Sequence, residues 1–161
     1  MKQDQVTIYL CGSMTGLTHD QIGAYYRETV AALPEWMTPI APLRDKDILK
    51  NAGALRASDY DEGAYGEGIM LTTRGIFARD SFDVRRSDAL LADFSRANRV
   101  SIGSMFEIAW AQQQGKPIVI IMDKDGLHDH PFVRASTPFI FEPEMRETAI
   151  KTLVSLMRKG L

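Results

Sequence analysis

The chain has 161 residues, 45% hydrophobic and 25% charged, the balance of a soluble globular protein forming a single domain over residues 1–161. Its formal net charge of −2 argues against a broad electrostatic footprint for nucleic acid or an anionic membrane surface. Cys11 is the only cysteine, so no intrachain disulfide is possible, which fits a reducing cytoplasm.

The N-terminus runs into a strand-like segment without a secretory signal pattern, and no apolar run approaches the ~20 residues needed to cross a bilayer. Val6 to Cys11 is short, apolar and β-rich, as expected of a strand buried on both faces of a parallel sheet. Asp20 is placed to cap a helix from about Gln21 to Leu33, ended by Pro34. Met37 to Ala41 reads as a second, weaker strand. Leu43 to about Tyr65 mixes charges, glycine and tyrosine and reads as a partly helical excursion over the sheet.

From about Met70 to Arg86 the pattern is helical, with Ile76, Phe77, Phe82 and Val84 available for an inner face. Ala89 to Phe94 forms a third strand, followed by a loop and a helix from about Ser104 to Gln114, closed near Gly115. Pro117 to Met122 is the clearest buried strand, and Pro138 to Phe141 a short fifth one. The last helix runs from about Pro143 to Arg158, with Ala149, Leu153, Leu156 and Met157 near one face.

Strands alternating with helices imply right-handed crossovers and a parallel sheet covered on both sides. Five strands predict a flavodoxin-like, doubly wound α/β domain. Ligands in such folds bind at the carboxyl ends of the strands, near the switch point of strand order. The loops after Cys11, Phe94 and Met122 are therefore the places to look for function.

Gly12-Ser13-Met14-Thr15-Gly16 follows the first strand, and its glycines let the backbone approach a ligand. It matches neither a P-loop nor a dinucleotide fingerprint, and an ordinary strand-to-helix turn explains it equally well. Ser101-Ile102-Gly103-Ser104-Met105-Phe106-Glu107 puts a carboxylate in the first turn of the next helix. There Ser104-x-x-Glu107 matches a capping box, while the helix dipole favours an ionised carboxylate, as a nucleophile requires. Asp80, one helix before the third strand, is a candidate second carboxyl group. Glycosidic-bond cleavage needs such a pair, one group attacking the sugar carbon and the other handling the leaving-group proton. A lone helical Asp is more commonly a solvated surface residue.

Asp123 to His130 contains His-x-His and Asp-x-Asp-Gly, which are suitable metal-ligand types. No Glu stands at the twelfth position of a calcium loop, and a polar loop without metal is the expectation. Cys11 reads as a small buried hydrophobe.

The order of these features resembles the nucleoside 2-deoxyribosyltransferase family, including the related deoxynucleoside 5′-monophosphate N-glycosidases. The resemblance is carried by Ile8-Tyr9 with Gly12, and by Asp80 eight residues before Asp88-Ala89-Leu90-Leu91. It continues through Gly103-x-x-x-Glu107-Ile108-Ala109-x-Ala111 and Gly115-Lys116-Pro117, so that it covers about residues 6 to 122. It implies that Glu107 attacks C1′ of a 2-deoxyribose and forms a covalent glycosyl-enzyme. Tyr9 would donate a hydrogen bond to Glu107, and Asp80 would contact the base and serve as, or relay to, the general acid. Gly12, Ser13, Met14, Ser101, Gly103, Ser104 and Met105 are the expected substrate-binding positions, with no metal or organic cofactor required.

Ser101 departs from the transferases, in which the position six before the nucleophile is an acidic residue holding the 5′-hydroxyl. A serine there resembles the monophosphate N-glycosidases, since a hydroxyl binds phosphate whereas a carboxylate repels it. Ser13, Ser104 and Arg134, the last from a neighbouring subunit, would add to a phosphate site. The resemblance implies a homo-oligomer with shared active sites, with His130 to Pro138 as the candidate closing loop. The segment from Leu43 to Gly75 is longer than the family's simple pattern and would reshape the base pocket. Three readings follow: deoxyribosyl transfer between nucleobases, hydrolysis of deoxynucleoside monophosphates, and a non-catalytic nucleotide sensor on the same fold.

Overall fold

A computed structural model describes residues 5–44, 50, 53–56, 69 and 72–158. Its strands are β1 (Val6–Gly12), β2 (Met37–Ile40), β3 (Ala89–Asp93), β4 (Ile118–Ile121) and β5 (Ile140–Phe141). Its helices are α1 (His19–Ala32), α2 (Thr73–Arg86), α3 (Ile102–Gln113), α4 (Pro131–Ser136) and α5 (Arg146–Met157). The five strands pair in parallel in the order β2-β1-β3-β4-β5, the flavodoxin-like arrangement the sequence predicts. Among the described residues, no helix is long and apolar enough to cross a membrane.

Alternation along the central strands feeds two core layers. Ile8, Leu10, Leu91, Val119 and Ile121 pack with Ile22 and Tyr26 of α1 and Leu153 of α5. Tyr9, Cys11, Leu90, Ala92, Ile118 and Ile120 point to the opposite face, against Val84 of α2 and Ile108 and Ala111 of α3. Every residue of β3 and β4 is buried, which explains the apolar runs Ala89–Ala92 and Ile118–Ile121, while the buried Asp93 that ends β3 pairs with Arg146. Pro39 is tolerated in β2 because that strand lies at the sheet edge.

Several local expectations shift for identifiable reasons. Thr18, rather than Asp20, caps α1, in a reciprocal box with Gln21: Thr18 Oγ1 accepts from the Gln21 N–H and Gln21 Oε1 from the Thr18 N–H. Phe77 and Phe82 lie about half exposed, so only Ile76 and Val84 of the four expected inner residues of α2 are buried. Phe82 instead lies under the Arg86 guanidinium, one turn along the exposed side. The expected closing loop is partly the short helix α4, which His130 caps by accepting from the Phe132 N–H, with Pro131 at its first position.

Most of the expected excursion, including residues 45–49, 51–52 and 57–68, lies outside the described residues, as do residues 70 and 71 at the expected start of α2. Within it, Leu55 is buried and its backbone exchanges hydrogen bonds with Gly16 and Leu17, stitching that segment to the loop after β1. Gly16 adopts φ +87°, and a Cβ there would collide with the Asn98 side chain, whose amide donates to the Gly16 carbonyl.

Candidate active site

The site forms where β1 and β3, neighbours in the sheet but not in sequence, end side by side. Gly12 pairs with Asp93 across this junction, and a Cβ on Gly12 would come to 3.0 Å from the Asp93 carbonyl oxygen. The close approach requires glycine and opens a cavity of about 360 Å³ above the strand ends, between the N-terminal halves of α2 and α3. That volume is within the range of small-molecule sites. Gly12, Met14, Asp80, Ser101, Gly103, Ser104 and Glu107 all line it.

Tyr9 projects from β1 beneath the cavity, fully buried, and its hydroxyl donates to Glu107 Oε1 at 2.7 Å. Glu107 is only 6% exposed, so this is a charge-assisted contact shielded from water. Burial, then the Glu107 charge and then Asp80 push the Tyr9 phenol well above its ordinary range, leaving it a neutral donor. Burial, followed by the charge of Glu107, likewise raises Cys11, whose thiol turns to the Ser104 carbonyl as a small buried side chain.

The capping box expected for Ser104 and Glu107 is not formed. Ser101 is the cap of α3 and accepts from the Ser104 N–H, so Glu107 lies in the second turn, past the strongest influence of the helix N-terminus. The Ser101 and Ser104 hydroxyls lie 2.8 Å apart, and Ser104 also donates to the Gly12 carbonyl at 3.2 Å. Ser13 is buried beside this chain, its Oγ without a hydrogen-bond partner among the described residues.

On the facing helix, Asp80 receives two bonds from the Arg79 guanidinium, at 3.4 and 3.1 Å, and Arg79 also donates to the Pro42 carbonyl. Asp80 is thus a fixed carboxylate rather than a loose surface acid. Phe77, Phe106 and Trp110 form the outer wall in mutual tilted and edge-to-face contacts. Sequence reasoning assigned no role to this wall, although its members sit three before Asp80, one before Glu107 and three after Glu107.

Three expected substrate-binding residues, Ser13, Met105 and Arg134, do not line this cavity. Met105 faces a second hollow between α3 and α4, shared with Phe132 and Val133. Arg134, on α4, is paired with Asp129 and does not line the Glu107 cavity within one chain. Three residues of the metal-like loop make structural contacts: Asp129 also accepts from the Asp125 N–H, His130 caps α4, and His128 is buried against Phe94. Sequence reasoning weighed His128 only as half of the His-x-His pair in a polar loop, since no short-range spacing links it to the site.

A doubly wound sheet with two carboxylates and a buried phenol at its switch point defines an α/β protein built to hold a small organic ligand. The chain matches the nucleoside 2-deoxyribosyltransferase family model over residues 8–157 and belongs to that family of glycosyl-transfer enzymes. A conserved protein from Enterococcus faecalis V583 has a similar structure, with a TM-score of 0.50 and 20% identity over 92% of this chain and 87% of that one. The molybdenum cofactor binding protein of the phototrophic bacterium Rippkaea orientalis also shares the fold, with a TM-score of 0.56 and 14% identity over 98% of this chain and 100% of that one. At these identities the likeness is one of fold alone. No curated protein sequence matches the chain.

Proposed function

We propose that the chain cleaves the N-glycosidic bond of a 2′-deoxynucleoside and transfers the deoxyribose to a second nucleobase. The observation that carries this reading is the buried Tyr9–Glu107 hydrogen bond in a cavity shared with Asp80. A Glu107 oxygen attacks C1′ while the bond from C1′ to the base nitrogen breaks, its electron pair leaving with the base. The transition state resembles an oxocarbenium ion, which the adjacent carboxylate stabilises, and the missing 2′-hydroxyl makes that cation easier to form. Asp80 contacts the base edge and relays the proton to the departing nitrogen. A second base then attacks C1′ as the C1′–Glu107 ester bond breaks, and its N–H proton returns to Asp80. No metal or organic cofactor enters these steps.

One set of groups favours a second reading, hydrolysis of a deoxynucleoside 5′-monophosphate. Ser101 and Ser104 bring two uncharged hydroxyls to one end of the site, with no acidic residue at position 101. Arg134 is committed to Asp129 in its own chain, so it would serve such a site only across a subunit boundary. A homo-oligomer is supported by exposed apolar side chains, Ile102 at the cavity (67% exposed) and Phe132 at the second hollow (82% exposed). The partners in this proposal are a small-molecule deoxynucleoside or deoxynucleotide and a free nucleobase, handled in the cytoplasm by a single-domain chain.

Chromatography of reactions containing a deoxynucleoside or its 5′-monophosphate, each with and without a second base, tests the proposal. A new nucleoside should appear only when the second base is supplied, and Glu107→Gln should abolish it. Free base released from the monophosphate alone, without exchange, selects the hydrolase instead. Full exchange by Glu107→Gln would remove the nucleophile assignment altogether.

A further inference from the structure

The N-terminus of α3 is held by a residue far away in the chain. In a capping box, the backbone N–H of the cap residue is satisfied by a Glu or Gln side chain three positions along. Here that position is Ser104, whose hydroxyl is engaged with Ser101 Oγ and the Gly12 carbonyl. The Ser101 N–H is instead accepted by His128 Nε2 at 2.9 Å. The His128 ring is 4% exposed and lies flat on Phe94, with centroids 3.9 Å apart and planes inclined by 10°.

Phe94 is itself fixed, donating its N–H to Ile121 at the end of β4. The loop presenting His128 is also braced. Gly126 turns back to the Asp123 carbonyl, where a Cβ would come within 2.9 Å of the Asp123 side chain. Asp129 accepts from the Asp125 N–H and from Arg134. Both ends of the His128–Ser101 contact therefore rest on the sheet.

We propose that His128 is a positioning residue that, as a neutral imidazole, sets the Ser101 hydroxyl and the first α3 amides for the substrate's 5′ group. This rests on the reading of Ser101 as a substrate contact. Nε2 accepts only while it lacks a proton, so the ring carries its hydrogen on Nδ1. Protonation would turn the acceptor into a donor facing another donor, and the start of α3 would lose its anchor.

Of the charged groups on the segments around His128, Arg99, Asp123, Lys124 and Asp125 are exposed to solvent. Asp129 and Arg134 pair with each other, His130 Nδ1 accepts from the Phe132 N–H, and Glu107 turns to Tyr9. Burial lowers the His128 pKa below its ordinary value, which keeps the accepting form dominant near neutrality. Since the folded value is depressed, the anchor is present above the ordinary imidazole range and is lost as pH falls towards the folded value.

Two variants separate the acceptor from the packing. His128→Gln retains an acceptor that does not titrate, whereas His128→Phe retains a ring over Phe94 without an acceptor. At neutral pH His128→Phe should raise KM roughly three- to tenfold with a smaller change in kcat, the size expected for one lost hydrogen bond. His128→Gln should stay close to wild type and lack the rise in KM that the wild type shows at acid pH. Hydrogen exchange at Ser101 and the following amides supplies a readout that needs no turnover. After correction for intrinsic rates, protection there should fall at acid pH in the wild type, at every pH in His128→Phe, and at none in His128→Gln.

An unchanged exchange pattern in His128→Phe, or an acid loss of protection persisting in His128→Gln, would overturn the anchor. The predicted exchange with no effect on KM for any deoxynucleoside or monophosphate would leave the anchor standing and refute the substrate role of Ser101. Thermal unfolding of both variants identifies any loss of folding.

Discussion

Tyr9→Phe isolates one atom of the proposed machinery. The ring is fully buried between β1 and α3, so phenylalanine preserves its packing and removes only the hydroxyl that reaches Glu107 at 2.7 Å. A hydrogen bond to a charged group contributes about 1.5–3 kcal/mol net, and burial of both partners argues for the middle of that range. A loss of about 2 kcal/mol corresponds to a fall in melting temperature of roughly 4–8 °C for a chain of this size. If the same bond holds Glu107 in line for C1′, kcat should fall roughly 10- to 100-fold, the equivalent of about 1.4–2.8 kcal/mol of barrier. The assay is single-turnover release of base, paired with denaturant unfolding of Tyr9→Phe, Glu107→Gln and the double variant. The two substitutions should be coupled by at least about 1 kcal/mol in stability, because they touch one interaction. Wild-type turnover by Tyr9→Phe, together with additive stabilities, would refute the argument that this bond positions the nucleophile.

Two further outcomes follow from the same geometry. Tyr9, Tyr25 and Tyr26 are all held above the ordinary phenol range, with burial the leading cause. Their folded values exceed the unfolded one, so the stability they confer is complete below about pH 10 and is lost as pH rises from there towards the raised folded values. Ultraviolet titration should therefore show these three phenols ionising only as the chain unfolds, and tyrosinate signals from them in a folded protein would contradict their burial. At the other end of the site, Ser101→Asp should weaken a monophosphate substrate at least about tenfold more than the plain nucleoside through like-charge repulsion. Asp caps helices as well as Ser does, so stability should change little, and equal effects on both substrates would count against a phosphate at Ser101.

The sheet was legible because its central strands are buried on both faces and read as apolar runs, Ala89–Ala92 and Ile118–Ile121 most clearly. The loops carrying the site followed from the strand order, and the residues Tyr9, Asp80 and Glu107 from family resemblance. Helix boundaries were harder, because cap-competent residues lay close together. Thr18 and Asp20 both fit the start of α1, and only the reciprocal side chain of Gln21 separates them. Ser101 and Ser104 both fit the start of α3, and there a long-range contact, the His128 imidazole on the Ser101 N–H, accompanies the earlier choice. Phe77 and Phe82 fell within a helical apolar pattern, but α2 faces α3 along Thr73, Ile76, Phe77 and Asp80, which turns Phe77 towards the cavity rather than the core. Helix α4 was concealed by polar loop composition, although His130-Pro131 combines a cap and a first-turn proline.

The one-turn displacement of Glu107 bears on the proposed chemistry. A carboxylate in the third helical position would be drawn into capping, turned back towards the backbone N–H groups of its own helix. Ser101, Ser104 and His128 take over that function between them, and Glu107 is carried one turn deeper, over the end of β1. There Tyr9, a neutral donor from a different element, donates to one of its oxygens at a site opening into the cavity. The proposed nucleophilic attack needs a carboxylate held in a fixed orientation and kept out of helix capping. Moving the caps to serine and histidine, while leaving the acid to a strand phenol, meets that requirement with side chains that add no further negative charge beside Glu107.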